Sequence, residues 1–163
     1  MTWRNAFYRQ AKGDFEAFEL MRRKDLHVPL CYQLHYLQMA TEKLAKAFRC
    51  HPNGPPKRVH TAFVPFLIWS TRDSVIRREL GFPKNQQAYT SYINSLRPVA
   101  EKIEALAPAG GNLYQVNAEY PWIDPSGAIT VPVDNPFPHI DLAQLQKLVA
   151  LIQNLFRIFP DIG

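Results

Sequence analysis

Cysteine is scarce in this chain, which holds two in 163 residues, Cys31 and Cys50. No Cys-x-x-Cys pair and no closed set of four ligands accompanies them, which argues against a zinc-ribbon or zinc-finger class. Cys31 lies four residues before His35, and Cys50 adjoins His51. Those spacings make a metal site conceivable, but buried thiols and surface histidines are the simpler reading, and neither a metal nor a cofactor is expected. The N-terminal stretch MTWRNAFYRQ carries charge from residue 4 and lacks the apolar run of a secretory leader. No window reaches the length of a membrane span. Reduced thiols and a cytoplasmic location are therefore expected, with no membrane partner.

Repeats, low-complexity tracts and linker-like stretches are also missing, so residues 1–163 read as one domain, long enough for a sizeable core. Disorder over the whole length is excluded by a composition that is 47% hydrophobic and 20% charged. Lys and Arg outnumber Asp and Glu by 19 to 14, giving a net charge of +5. That excess leans towards anionic partners such as nucleotides or RNA.

What is present is helical periodicity. A first helix over 2–23, with Thr2 as N-cap, places Trp3, Phe7, Ala11, Phe15, Phe18 and Met21 on one face. Gly13 weakens its middle, and Arg22, Arg23 and Lys24 suit the negative end of its dipole. Pro29 marks the next start, and a second helix over 30–49 carries a broad apolar stripe through Leu34, Leu37, Ala40, Leu44 and Phe48. The proline-rich string CHPNGPPKR ends it. One short buried helix is expected in HTAFVPFLIWSTRDSVIRREL, with Pro65 in its first turn or at a kink. A helix over 86–107 keeps the period through Tyr89, Ile93, Leu96, Val99 and Ile103, with a kink or restart expected at Pro98. Residues 112–140 read as an irregular loop rich in proline and aromatics, in which AITVPV could be a short extended piece, with no sheet expected. The last helix has Asp141 as N-cap, Gln144 placed for a capping box and Pro160 as its stop. The expected fold is all-α, a four- to five-helix up-and-down bundle with a long proline-rich loop before the last helix.

Along the second helix Gln38, Glu42 and Lys46 repeat every four residues beside the apolar stripe. As an exposed ion pair, Glu42 and Lys46 would only support the helix. The preferred reading is a structural polar seam that ties this helix to Arg58 and His60 in the following turn, with ligand contact as the alternative. Trp122 in the long loop is a candidate to stack a base or to cover the bundle.

Several stretches carry a family likeness: DFEAFELM, CYQLHYLQMATEKLAKAF, KRVHTAFVPFL and NLYQVNAEYPW. Together they resemble the HEPN family (higher eukaryotes and prokaryotes nucleotide-binding domain), and the second-helix string carries most of the likeness. The resemblance implies a helical bundle that dimerises. It further implies metal-independent ribonucleases, toxins of toxin–antitoxin and defence systems, or partners of small nucleotidyltransferases. Ribonuclease members of the family hold an Arg, four to six residues and a His near the last helix. Here the last third has His139 alone, with no such Arg, and Glu119 precedes Tyr120 and Pro121 where relatives carry Arg. One Arg-x4-His string, Arg22 to His27, lies at the end of the first helix instead. It could cleave RNA only if a dimer brought a proton-moving His and a phosphate-steadying cation into one cleft.

The sequence thus supports three functions: a homodimeric HEPN-like binding or accessory module for a nucleotide, RNA or partner protein, a metal-independent ribonuclease with non-standard residues, or a scaffold. The partner protein expected is a nucleotidyltransferase or an antitoxin.

Overall fold

The computed structural model describes residues 1–50, 60–108 and 112–162. Its first element, α1, is Trp3–Met21, and Thr2 caps it by accepting a hydrogen bond from the Asn5 amide at 3.2 Å. Gly13 sits on an exposed side of α1 with open space around it, which is why the helix tolerates it. A 3-10 turn, Lys24–Leu26, follows and closes on His27 in the left-handed region at φ 49°. α2 then runs over Leu30–Arg49.

The short connection makes α1 and α2 antiparallel neighbours. Early residues of α1 meet late ones of α2: Phe7 lies near Lys46, and Asp14 bonds Lys43. The apolar stripes face each other, with Ala11, Phe15 and Phe18 buried on α1 and Leu34, Leu37, Ala40 and Leu44 on α2. Each fully buried Leu or Phe of this set contributes about 1.5–3 kcal/mol. Trp3, expected on the buried face, is 53% exposed, because it lies in the first turn, beyond the covering helices.

The segment expected to form one buried helix forms two, α3 at Phe63–Ser70 and α4 at Ser74–Glu79. Asp73 divides them: its carboxylate accepts from the Val75 and Ile76 amides at 2.9 Å, so the chain restarts there. Pro65 falls in the first turn of α3, where its missing N–H costs no helix bond.

α5, Gln86–Glu104, ends three residues before the expected limit and passes through Pro98 without a break. Pro98 deprives only the Asn94 carbonyl of a donor, and both residues are exposed, so water can take that place. α3 and α5 are antiparallel, since Phe63 meets Glu104 and Ser70 meets Tyr89.

The 112–140 segment is not wholly irregular: β1, Trp122–Ile123, pairs antiparallel with β2, Ile129–Thr130. This corrects the expectation of no sheet. The turn is tight because Asp124 accepts from the Ser126 and Ala128 amides and Gly127 adopts φ 86°. Buried Asn117 shapes the preceding stretch by accepting from the Glu119 and Tyr120 amides. Trp122 and Phe137 are 3% and 1% exposed, their rings 6.3 Å apart, so both cover the bundle and neither is free to stack a base. Burial of its ring and the Asn135 side chain hold Phe137 at φ 48°.

α6, Leu142–Ile158, buries Leu148, Leu151, Ile152 and Leu155. Asp141 caps it through the Ala143 and Gln144 amides, the half of the capping box formed among the described residues. Beyond α6 the chain continues as a 3-10 turn, Phe159–Ile162, so Pro160 ends only the α-helical winding. Tyr8 stacks on Phe159 at 4.2 Å and donates to the Phe156 carbonyl, which docks the end of α6 on α1. The fold is therefore mostly helical, with one continuous hydrophobic cluster. Among the described residues no helix is long and apolar enough to cross a membrane.

Tyr89 joins α5 to α3 from a fully buried site, and its phenol is pushed up to about 12 by that burial. Ser70 donates its hydroxyl proton to the Leu67 carbonyl, so the Tyr89 hydroxyl donates to Ser70 at 3.0 Å. Tyr89→Phe should lower stability by about 0.5–1.5 kcal/mol in urea titration, since only one neutral hydrogen bond is lost.

Candidate functional site

The candidate polar residues of α2 lie inside the bundle. Gln38, Glu42 and Lys46 are 4%, 8% and 8% exposed, one helical turn apart on a single face. The Lys46 ammonium donates to Glu42 Oε1 at 2.5 Å, and the Gln38 amide donates to Oε2 at 3.2 Å. His60, at the approach to α3, places Nδ1 3.0 Å from the same Oε2. Both Glu42 oxygens are thus occupied, and the Lys46 ammonium also faces the Phe7 ring at 5.9 Å. His60 itself is largely exposed, so it closes the seam from the solvent side.

Burial pushes the Glu42 carboxyl up, but the hydrogen bonds of Lys46 and His60 outweigh it and leave the group below the ordinary carboxylate value. Glu104, at the end of α5, comes out the other way. Burial raises it, the Phe63 and Val64 amides offset part of this, and nearby Glu42 and Glu101 raise it further. The difference is the cation: Glu42 has Lys46 against it, whereas Glu104 has only backbone donors. Glu104 Oε1 accepts from the Phe63 and Val64 amides at 2.7 and 3.1 Å, capping α3 from another helix. Its sequence signal is nil, because its partners are main-chain groups about 40 residues away.

A second ion pair, buried at its Asp14 end, binds α1 to α2. Lys43 donates to Asp14 Oδ2 at 2.5 Å, and the Gln10 amide donates to Oδ1 at 3.0 Å. Asp14 is 5% exposed. It was not among the candidate residues, since nothing local marks an aspartate whose partner lies 29 positions on.

The other candidates fall apart from this cluster. Arg22 bonds Glu19 at 3.1 Å and lies over the Phe18 ring. His27 ends the 3-10 turn, exposed, and no contact among the described residues joins it to Arg22. Arg58 lies outside the described residues. His35 faces Glu119 of the long loop at 4.0 Å, while Lys46 is taken by Glu42. Glu119 raises the phenol of exposed Tyr120 by hydrogen bonding and charge. Trp122 is core. Trp69 is 39% exposed on α3, three residues before Arg72.

A shallow cavity of about 290 Å³ is lined by Lys102, Ala105, Leu106, Gln115, Val116 and His139. None of the described candidate residues lines it. Lys102 donates to the His139 carbonyl there, and burial together with Lys102 depresses the His139 imidazole. Among the described residues no group of three or more His, Cys, Asp or Glu is placed to hold a metal ion.

No family model matches this chain, and neither the curated proteins nor the solved structures hold a significant match to it.

Chemically, the α2 cluster is a closed network. The Glu42 carboxylate is charged and both of its oxygens are engaged, so the carboxylate itself is not free to take a proton from a substrate. Glu42→Ala should cost roughly 3–5 kcal/mol in urea titration, because it strands the buried Lys46 ammonium. The double change Glu42→Leu with Lys46→Met should recover most of that loss. In the wild type, the part of stability due to Glu42 is present above the unfolded carboxylate value. It is lost as pH falls through the lower folded value, which chemical denaturation at a series of acid pH values will detect.

Glu104 has the opposite sign, since a raised carboxyl opposes folding as pH rises past its unfolded value. Glu104→Gln keeps an oxygen for the two amides and removes the charge, so it should be neutral or stabilising at pH 7. Glu104→Ala uncaps α3 and should cost about 0.5–2 kcal/mol. Thermal melts of the two variants separate capping from charge.

Proposed function

We propose that this chain is a HEPN-like binding or accessory module for a phosphate-bearing ligand, a nucleotide or RNA, without nuclease chemistry of its own. The observation that carries this reading is the division of charge along the chain. All 19 Lys and Arg lie outside residues 103–146, together with nine of the 14 acids. That part carries +10 and the 103–146 segment −5.

The internal ion pairs use up few of these cations. Arg9, Lys24, Arg49, Arg72, Lys84 and Lys147 are exposed, and no ion pair engages them among the described residues. Exposed Trp69 beside Arg72 adds an aromatic face to a cationic one, the combination that holds single-stranded nucleic acid. Chemistry is the weaker reading because Arg22 is committed to Glu19 and Phe18, and His27 stands apart from it. The helical bundle and the α2 string agree with the family likeness, on which the homodimer and the nucleotidyltransferase or antitoxin partner rest.

Fluorescence anisotropy with a labelled single-stranded RNA tests the reading. Binding should weaken steeply as salt rises from about 50 to about 200 mM, the mark of released counterions. The RNA should remain intact in EDTA. Trp69→Ala should weaken binding by about 1–3 kcal/mol if a base stacks there. Cleavage in EDTA that disappears in His27→Ala would identify a ribonuclease instead, and no binding even at low salt would leave a scaffold.

A further inference from the structure

The surface of the 112–134 segment differs in kind from the rest of the molecule. It exposes Leu113, Tyr114, Tyr120, Ile129, Val131 and Val133, at 61%, 71%, 56%, 76%, 40% and 45% respectively. It carries Glu119, Asp124 and Asp134, and no Lys or Arg.

The register of the hairpin shows which groups are free. The Asp124 amide donates to the Ala128 carbonyl, so residues 124 and 128 form a hydrogen-bonded pair. Such pairs alternate along an antiparallel ladder, which makes Ile123 and Ile129 a pair whose backbone groups point away from each other. On the β1 side this outward amide is used: Ile123 N–H donates to the Leu113 carbonyl at 2.7 Å. On the β2 side the outward N–H and C=O of Ile129 meet no hydrogen-bond partner among the described residues. Side chains alternate in the same way. Buried Trp122 and its partner Thr130 face the bundle, and Ile129 and Val131 stand on the outer face.

β2 is therefore an open sheet edge beside an apolar outer face. Proteins ordinarily blunt such an edge with lysines or a covering loop. Here no Lys or Arg occurs between Lys102 and Lys147, and Pro132 limits only the strand's length. Two copies pairing through this edge would bring two acidic faces together, which disfavours self-association. A cationic partner gains both the edge and the charge.

We propose that β2 is a docking strand for an extended segment of another protein, one that alternates apolar residues with Lys or Arg. The incoming strand pairs with the Ile129 N–H and C=O, lays its apolar side chains on Ile129 and Val131, and sets its cations near Asp134, Asp124 and Glu119. This site is distinct from the cationic surface invoked above and does not depend on it.

The test uses the full chain, isotopically labelled, and two synthetic probes of about eight residues, a typical strand length. One alternates Val with Lys and the other Val with Glu. The Lys probe should shift the amide signals of Ile129 and Val131 saturably and slow hydrogen exchange at Ile129. Affinity should drop at least about tenfold with the Glu probe, where like charges face each other. Ile129→Lys, an exposed change that leaves the core intact, should weaken the Lys probe by a similar factor, and Ile129→Pro should abolish pairing. No shift at Ile129 with the Lys probe overturns the proposal, as does an equal response to both probes. It is also overturned if sedimentation equilibrium shows a dimer that Ile129→Lys makes monomeric, because the edge then belongs to a second copy.

Discussion

The Glu42 carboxylate, held inside the bundle by Lys46, Gln38 and His60, is the constraint around which the helices after α2 are arranged. A buried anion requires a cation and full hydrogen bonding, or it must take up a proton. Lys46 meets the first need from one turn further along α2. His60 meets part of the second, and so fixes where the chain re-enters the bundle before α3. Glu104, which caps α3 from the end of α5, lies close enough to feel the Glu42 charge. The buried ends of α2, α3 and α5 are therefore linked by electrostatics as well as by packing. Replacement of this network with apolar residues of like volume need not lower stability, and its value lies in selecting one arrangement of helices.

Two further polar contacts extend the same logic. Lys43 and Asp14 set the register between α1 and α2, where apolar stripes alone would permit sliding by a turn. Ser70 and Tyr89 do the same for α3 and α5. Each pair fixes one helix against another at a chosen height, and the surrounding leucines and phenylalanines supply the bulk of the stabilisation. Cations not used in this way remain on the helical surface, while the hairpin segment carries acids and exposed apolar groups. The two surfaces differ in charge, in keeping with the accessory role proposed above.

How far the sequence could be read varied with the range of the interaction. Thr2, Asp141 and the apolar period of α5 were legible, because caps and stripes act within a few residues. Asp73 was passed over as a break within an apolar run, although its capping is equally local. At Pro98 the helix does not restart, since the proline's cost depends on whether the Asn94 carbonyl faces water. Trp122, for which base stacking and cover were both open, covers the bundle, and Trp69 on α3 is partly exposed. Helical spacing says that a face is shared but not how much of it a neighbour covers, and a loop tryptophan buries itself wherever the bundle is open.

By itself the sequence determined that the chain is helical, where four long helices start, and that Gln38, Glu42 and Lys46 share one face. It also determined the charge division, which no folding alters. Tertiary structure alone decided that this face turns inward, that His35 meets Glu119, and that Glu104 caps a helix about 40 residues away. It alone left Ile129 with an open edge. Periodicity and capping belong to neighbouring residues and are written locally. Burial, ion pairing across helices and the freedom of a strand edge depend on which segments meet, and those meetings exist only once the bundle has closed.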